Sequence, residues 1–321
     1  MTRSKPVTLP PRLGAGARIA LVAPSGPCLE QDDFTRAVEL CRALGLDPVL
    51  GPHARDRHGY LAGSDADRLA DLNAALRNPA IDGVWCIRGG YGMTRILDQV
   101  DFDALRNHPK AVIGYSDITA LLNAAFQEAG VASFHGPTAR HQMPEFSLRH
   151  FDEVLRNAEP AGRLERLPQL PGVQAARENR IVTLREGVAE GPLLGGNLSL
   201  LQCLIGTRFF PDLSGAILFL EDVGEALYRV DRMLSHLRSV GALSQLAGVL
   251  VGRFTEMKRD TGDGVFGFDE VLQQYFGGLG IPVAYGFPVG HIENQWTLPL
   301  GVRARLDASN GEVDILDAAV T

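Results

Sequence analysis

The chain has 321 residues, 45% hydrophobic and 21% charged, enough for two domains with sizeable cores and too apolar for global disorder. Its net charge of −7 leaves no basic excess to neutralise phosphates, which argues against a nucleic-acid or anionic-membrane partner. Cys28, Cys41, Cys86 and Cys203 match no zinc, CxxC or disulfide spacing, no window reaches the roughly 18 apolar residues of a membrane span, and the run from Ile19 to Ala23 is too short for a signal-peptide core, so the expected compartment is a reducing cytoplasm.

After a Pro/Gly-bearing lead-in over residues 1–15, Arg18 to Ala23 reads as a buried strand ending at Pro24-Ser25-Gly26-Pro27. Phe34, Val38 and Cys41 mark one face of a helix over Asp32 to Ala43, with Gly45 just past its end, where a C′ glycine belongs. Asp47 to Leu50 is a second strand. Ser64, with Asp67 three residues on, opens a helix carrying Leu69, Leu72 and Leu76 in a capping-box-like start. Gly83 to Ile87 is a third strand leading into Arg88-Gly89-Gly90-Tyr91-Gly92, and Ala111 to Tyr115 is the next. Strands alternating with helices predict an α/β fold with a parallel sheet covered on both faces. Ligands bind such sheets beyond the carboxyl ends of the strands, so the Pro-Ser-Gly-Pro loop, the Arg-Gly-Gly-Tyr-Gly loop and Ser116 should share one rim.

From His141 to Arg177 the pattern weakens, with Pro144, Pro160, Pro168 and Pro171 interrupting it; this reads as a linker with one short helix near Phe151 to Asn157. The second half starts near Asn179, with strands expected at 180–185, 215–221, 246–251, 302–307 and 312–316 and helices near 197–205, 226–240 and 268–276. The expected division is 1–145 for an N-terminal α/β domain, 146–178 for the linker and 179–321 for a C-terminal mixed α/β domain.

The stretch Ile113-Gly114-Tyr115-Ser116-Asp117-Ile118 turns sharply from a strand into a helix. That is the layout of a nucleophile elbow, which exposes a serine hydroxyl beside N–H groups at a helix N-terminus. Taken alone, the segment fits a serine that merely N-caps the helix better; the rest of the chain changes the balance. A serine nucleophile needs a base and a group to orient it. His53, His58, His108, His141 and His150 sit among charged or loop residues and read as solvated surface, His236 as the polar edge of a helix and His135 as semi-buried near the site. His291 differs: it follows a strand and is flanked by Gly290 and polar neighbours. Glu221 closes the run Ala216 to Leu220, and a carboxylate at the end of a buried strand is costly unless paired or used; its alternative is to cap the following turn, as Asp222 also could. The order Ser116, Glu221, His291 is that of α/β hydrolases, although Ile118 stands where those enzymes have the second glycine of Gly-x-Ser-x-Gly. Arg88 to Gly92 lacks the Lys-Ser/Thr of a P-loop; Gly90 N–H, together with Asp117 N–H, could instead form an oxyanion hole. Gly191 to Gly196 reads as a turn entering a helix N-capped by Asn197. Cys86 lies inside a strand and reads as core. His291 and Glu293 could bind metal but lack a third ligand at diagnostic spacing, so neither metal nor cofactor is expected.

Taken together, Val-Ala-Pro-Ser-Gly near the start, Cys-Ile-Arg-Gly-Gly-Tyr-Gly, Ile-Gly-Tyr-Ser-Asp, Glu-Gly-Pro-Leu-Leu-Gly-Gly-Asn-Leu, Phe-Leu-Glu-Asp-Val-Gly-Glu and the Gly-His loop resemble the LD-carboxypeptidases, the muramoyltetrapeptide carboxypeptidases of the serine peptidase class. The likeness runs from about residue 17 to 316. It implies a triad of Ser116 as nucleophile, His291 as base and Glu221 as orienting acid, with an oxyanion hole near Gly90 and Asp117. It also implies a flavodoxin-like N-terminal domain, a smaller C-terminal domain with the site at their junction, and a homodimer. The implied substrate is the murein tetrapeptide, cut to release its terminal D-Ala during cytoplasmic cell-wall recycling. Arg88 and Arg232 are candidates by position for reading the free carboxylate, and Tyr91 and Asn197 join them on the substrate side. A sibling group, the microcin immunity peptidases, shares the catalytic motifs and cuts an amide in a peptidyl-nucleotide, with a middle-region tryptophan stacking on the base. Residues 140–190 contain no tryptophan; the two present are Trp85 and Trp296. A reading of a different class is a two-domain protein that clamps a small ligand without turnover, which would need no serine at an elbow.

Overall fold

The computed structural model describes residues 6–30, 32–168, 179–258 and 266–321. Two sheets organise the chain. The first contains β1 (Arg18–Val22), β2 (Asp47–Leu50), β3 (Gly83–Cys86), β4 (Ala111–Gly114) and β5 (Ser133–His135). The second draws on β6 (Gly162–Arg163), β7 (Val182–Arg185), β8 (Val188–Asn197), β9 (Ile217–Val223), β10 (Gly248–Thr255) and β11 (Val283–Tyr285). β12 (Leu298–Leu300) returns to the first sheet, and β13 (Arg303–Asp307) and β14 (Glu312–Ile315) complete the second.

The first sheet runs β12-β5-β4-β3-β1-β2, parallel throughout except where β12 pairs antiparallel with β5. Every residue of β3 and β4 is buried, as a sheet covered on both faces requires. The expected α/β class is therefore the observed one. The helix Asp32–Ala43 and strand β2 fall where the sequence put them, and Ser64 caps the helix Asp65–Arg77 by accepting a hydrogen bond from the Asp67 N–H.

The second sheet, β6-β14-β13-β8-β9-β10-β11-β7, is mixed: β8 to β11 are parallel neighbours and the rest antiparallel. The glycine-rich stretch read as a turn is the second half of β8. Its glycines and Pro192 depress strand propensity, but pairing with β9 on one side and β13 on the other outweighs that. The stretch expected as a linker carries more structure than one short helix. Its helix spans Glu145–Leu155, earlier than predicted, burying Phe146, His150, Phe151 and Val154. Trp85 stacks on Phe151 at 4.9 Å, and β6 pairs with β14. Pro171 and the other residues of 169–178 lie outside the described residues, as do residues 1–5 of the lead-in. Among the described residues, no helix is long and apolar enough to cross a membrane.

The two sheets are tied together beside the elbow. Asn123, on the helix Thr119–Ala124, donates to the Gly195 carbonyl at 2.8 Å, and the Asn197 N–H donates to Thr119 Oγ1 at 3.0 Å.

Candidate active site

Three strand ends of the first sheet converge. The Gly26 N–H donates to the Gly89 carbonyl at 3.0 Å, joining the loops after β1 and β3. Beyond β4 the chain turns at Ser116, whose φ of +64° makes it, with Glu256, one of two described non-glycine residues in the left-handed region. Such a conformation costs on the order of 1–3 kcal/mol and persists only where the surroundings impose it. The next residue supplies the constraint. Asp117 is buried, and its carboxylate accepts from Ser25 Oγ at 2.6 Å and from the Met93 N–H at 2.8 Å. Burial pushes the Asp117 carboxyl up, while those two hydrogen bonds oppose the shift. The loop after β3 packs just as tightly: a β-carbon at Gly89 would lie 2.9 Å from Ser116 Cβ and 3.2 Å from its Oγ, so only glycine fits there. The N-cap alternative for Ser116 does not describe its side chain, whose hydroxyl lies 3.1 Å from His291 Nε2.

His291 arrives from the second sheet. The loop after β11 lies along β10, with the Phe287 N–H donating to the Val251 carbonyl and the Arg253 N–H to the Val289 carbonyl. Gly290 has φ +118°, and a β-carbon on it would meet Glu221 Oε2 at 2.7 Å. That close approach sets the imidazole against β9: His291 Nδ1 is 2.8 Å from Glu221 Oε2. Glu221 is wholly buried and the His291 side chain is 19% exposed. An ionised carboxylate only accepts, so Nδ1–H donates to Glu221 and leaves Nε2 as the acceptor for the Ser116 hydroxyl. Tyr115 stacks edge-on against His291 at 4.8 Å. The arrangement can draw the serine proton onto Nε2 and hold the resulting imidazolium beside a carboxylate.

Around this relay the other sequence candidates divide. Asn197 sits opposite Glu221 in the β8–β9 register, but its side chain is engaged: Oδ1 caps the Leu200 N–H and Nδ2 donates to Asp222. Asp222 in turn accepts from Ser199, so it braces the turn after β8. Tyr91 is 49% exposed and meets Tyr60 edge-on at 5.6 Å. Arg88 donates to the Pro27 carbonyl. Arg232 is exposed with its guanidinium over the Tyr228 ring at 5.3 Å. Gly90 follows Gly89 on the loop that touches Ser116. Cys86 is buried within β3, and burial pushes its thiol up.

A cavity of about 450 Å³ opens beside the relay, walled by Tyr115, His291, Arg140, His141, Met143 and Glu293 among others. Sequence reasoning passed over Arg140 and took His141 and His150 for solvated surface. His141 lines this cavity, its Nδ1 3.4 Å from the Tyr115 hydroxyl, and His150 is buried between Phe146 and Trp296. Beside His150 the charged neighbour Arg149 is exposed while the ring turns in, and beside His141 the charged neighbour Arg140 lines the same cavity.

His135, at the end of β5, is also fully buried, edge-on to Phe219 at 5.2 Å. Burial, partly opposed by the charge of Glu221, pushes its pKa from 6.5 down to about 4. Above pH 6.5 neither state is protonated and stability is undiminished. As pH falls from 6.5 toward 4, the unfolded chain takes up a proton that the folded one refuses, and stability drops by at most about 3 kcal/mol from this residue. The urea midpoint should therefore fall between pH 7 and pH 5, and His135→Phe, which keeps the ring contacts and removes the titration, should flatten that slope.

Two family models match this chain. Residues 19–136 match the model described as LD-carboxypeptidase N-terminal domain, and residues 190–306 the model described as LD-carboxypeptidase C-terminal domain. The chain is 33% identical over 298 residues to the murein tetrapeptide carboxypeptidase of Pseudomonas aeruginosa, covering 91% of this chain and 94% of that protein. It is 28% identical over 339 residues to MccF, the microcin C7 self-immunity protein of Escherichia coli, covering 99% and 98%. A solved structure of MccF in the wild-type apo state matches with a TM-score of 0.87 at 26% identity, covering 98% of this chain and 100% of the other. The muramoyltetrapeptide carboxypeptidase of Oxalobacter formigenes matches with a TM-score of 0.78 at 32% identity, covering 93% and 97%.

Proposed function

The chain belongs to the LD-carboxypeptidase family and is a serine-type carboxypeptidase, and from that premise we propose that it releases the terminal D-alanine of murein tetrapeptides through an acyl-enzyme formed on Ser116. Ser116 Oγ attacks the scissile carbonyl as His291 Nε2 takes its proton. The oxyanion rests on the N–H groups of Gly90 and Asp117. His291 then gives the proton to the departing amine, the C–N bond breaks, and D-alanine leaves. Water, deprotonated by the same imidazole, attacks the ester and restores Ser116. Glu221 keeps the imidazole in the required tautomer throughout.

The observation that carries this reading is the continuous relay, 3.1 Å from serine to imidazole and 2.8 Å from imidazole to carboxylate, ending on a nucleophile with positive φ. A protein that only clamps a ligand has no use for a strained serine in such a relay. The same reading takes residues 1–145, with most of the first sheet, as an N-terminal domain and 179–321, with most of the second, as a C-terminal domain, joined through 146–178, while β12 of the first sheet lies in the second span and β6 of the second sheet in the joining one. It also takes the enzyme to be a cytoplasmic homodimer serving cell-wall recycling, as the family likeness implies.

The immunity-peptidase alternative asks for a tryptophan to stack on a base. Both tryptophans of this chain are fully buried, their indole N–H groups donating to the Pro137 carbonyl at 2.8 Å and the Glu165 carbonyl at 2.7 Å. Neither can receive a nucleobase, which favours the murein substrate. Side-by-side assays on a murein tetrapeptide, a pentapeptide and an aminoacyl-nucleotide amide test the choice. D-alanine release from the tetrapeptide should dominate by kcat/KM; preferential cleavage of the nucleotide amide would replace the murein reading.

A further inference from the structure

A carboxypeptidase must recognise the carboxylate of the residue it releases, and neither arginine suggested by the sequence lines the cavity beside the relay. The side on which that residue sits follows from the chemistry. The proton on Nε2 has to reach the departing amine, so the departing residue lies on the imidazole side of Ser116. The cavity of about 450 Å³ is on that side: its walls include His291 and Tyr115 and none of the Gly89–Gly90 loop.

Arg140 is the single arginine among its lining residues. The loop after β5 delivers it. The Ala139 N–H donates to the Cys86 carbonyl at 3.1 Å and the Arg140 N–H to the Ile87 carbonyl at 3.4 Å, which fixes the backbone against the end of β3. Behind the guanidinium stands Asp33, its side chain 4% exposed, 3.7 Å from Arg140 Nη1. Asp33 also holds Arg36 at 3.0 Å. One carboxylate shared by two guanidinium groups orients Arg140 without cancelling its charge. Arg140 Nε is buried and has no hydrogen-bond partner. Burial and the neighbouring Arg140 charge push His141 down to about 4, so it is neutral at pH 7 and Arg140 is the cation of the cavity. Glu293, the acidic residue of the lining, is exposed and shared with a neighbouring cavity.

We propose that Arg140 reads the free carboxylate of the departing D-residue, with Asp33 as its positioning residue. This rests on the function proposed above and adds the residue that makes the enzyme end-specific. An amide or a further residue at that position would leave a desolvated guanidinium without its anion, which is the physical basis for rejecting longer chains.

The test compares a tetrapeptide with its C-terminal amide. In the active enzyme, Arg140→Gln should lower kcat/KM on the acid by roughly 100-fold and bring the acid-to-amide preference to within about threefold of unity. Arg140→Lys, which keeps the charge and loses the fork, should recover part of it and serves if the glutamine variant does not fold. Asp33→Asn should raise KM on the acid with little change in kcat and no matching change on the amide. An Arg140→Gln enzyme with the wild-type acid-to-amide preference, or, where that variant does not fold, an Arg140→Lys enzyme with it, overturns the proposal while D-alanine release stands. If the wild type releases neither D-alanine from the acid nor D-alaninamide from the amide, the function proposed above fails instead. Calorimetry on Ser116→Ala then decides for Arg140: preferential binding of the acid, lost in Ser116→Ala/Arg140→Gln, upholds it, and equal binding of acid and amide overturns it.

Discussion

Ser116→Ala is expected to lower D-alanine release from a murein tetrapeptide on the order of 10⁴-fold or more, while the protein stays folded. The hydroxyl is the group in the relay able to form the ester, and it is the one that His291 Nε2 meets among the described hydrogen bonds. The fold should tolerate the change because Oγ is bonded only to the imidazole among the described contacts, and the turn is held by Asp117 through Ser25 and Met93. Ser116→Gly sharpens the test. Glycine adopts a φ of +64° without strain, so this variant should be equally inactive yet melt at a higher temperature than Ser116→Ala. Steady-state assay and thermal melting read both quantities, and an alanine variant within tenfold of wild type would remove Ser116 as nucleophile.

Glu221→Gln should separate activity from stability in the opposite sense. The carboxylate is wholly buried, Oε2 accepts from His291, and Oε1 has no hydrogen-bond partner. A buried charge so sparsely compensated is a burden on the fold. A neutral amide of the same shape should leave the melting temperature unchanged or raised. Turnover should nevertheless fall by about 10²–10⁴-fold. The amide can present its N–H₂ group to Nδ1, which turns the imidazole into the tautomer whose Nε2–H faces Ser116 and cannot take its proton. A loss of activity that tracks a loss of stability would make Glu221 a structural residue.

Much of this site was legible because its residues break local patterns. A serine between a β-branched strand and a helical stripe, a carboxylate ending a run of five apolar residues and a histidine beside a glycine each stood out from their surroundings. What stayed hidden depends on pairings between distant segments. β8 was misread because Gly191, Gly195 and Gly196 speak locally for a turn, and only the neighbours β9 and β13 make them a strand. Asn197 was expected as a helix cap, and it is one; its bond to Asp222 could not be read from spacing. Arg140 shows how far the sheet rule reaches. Ligands gather at the carboxyl ends of parallel strands, and the run Val131 to Phe134 carried a strand signal. Treated as the next strand beside β4, it would have put Ala139-Arg140-His141 on the same rim as Ser116.

The strand Leu298–Leu300 pairs with β5 in the first sheet and is followed at once by β13 in the second. During synthesis, the sheet that carries the elbow therefore lacks its β12 edge strand until residues 298–300 have been made. Ser116 is translated early, whereas His291, 175 residues further on, and β12 both follow late. A nascent chain thus carries Ser116 long before the imidazole that its hydroxyl meets in the folded protein.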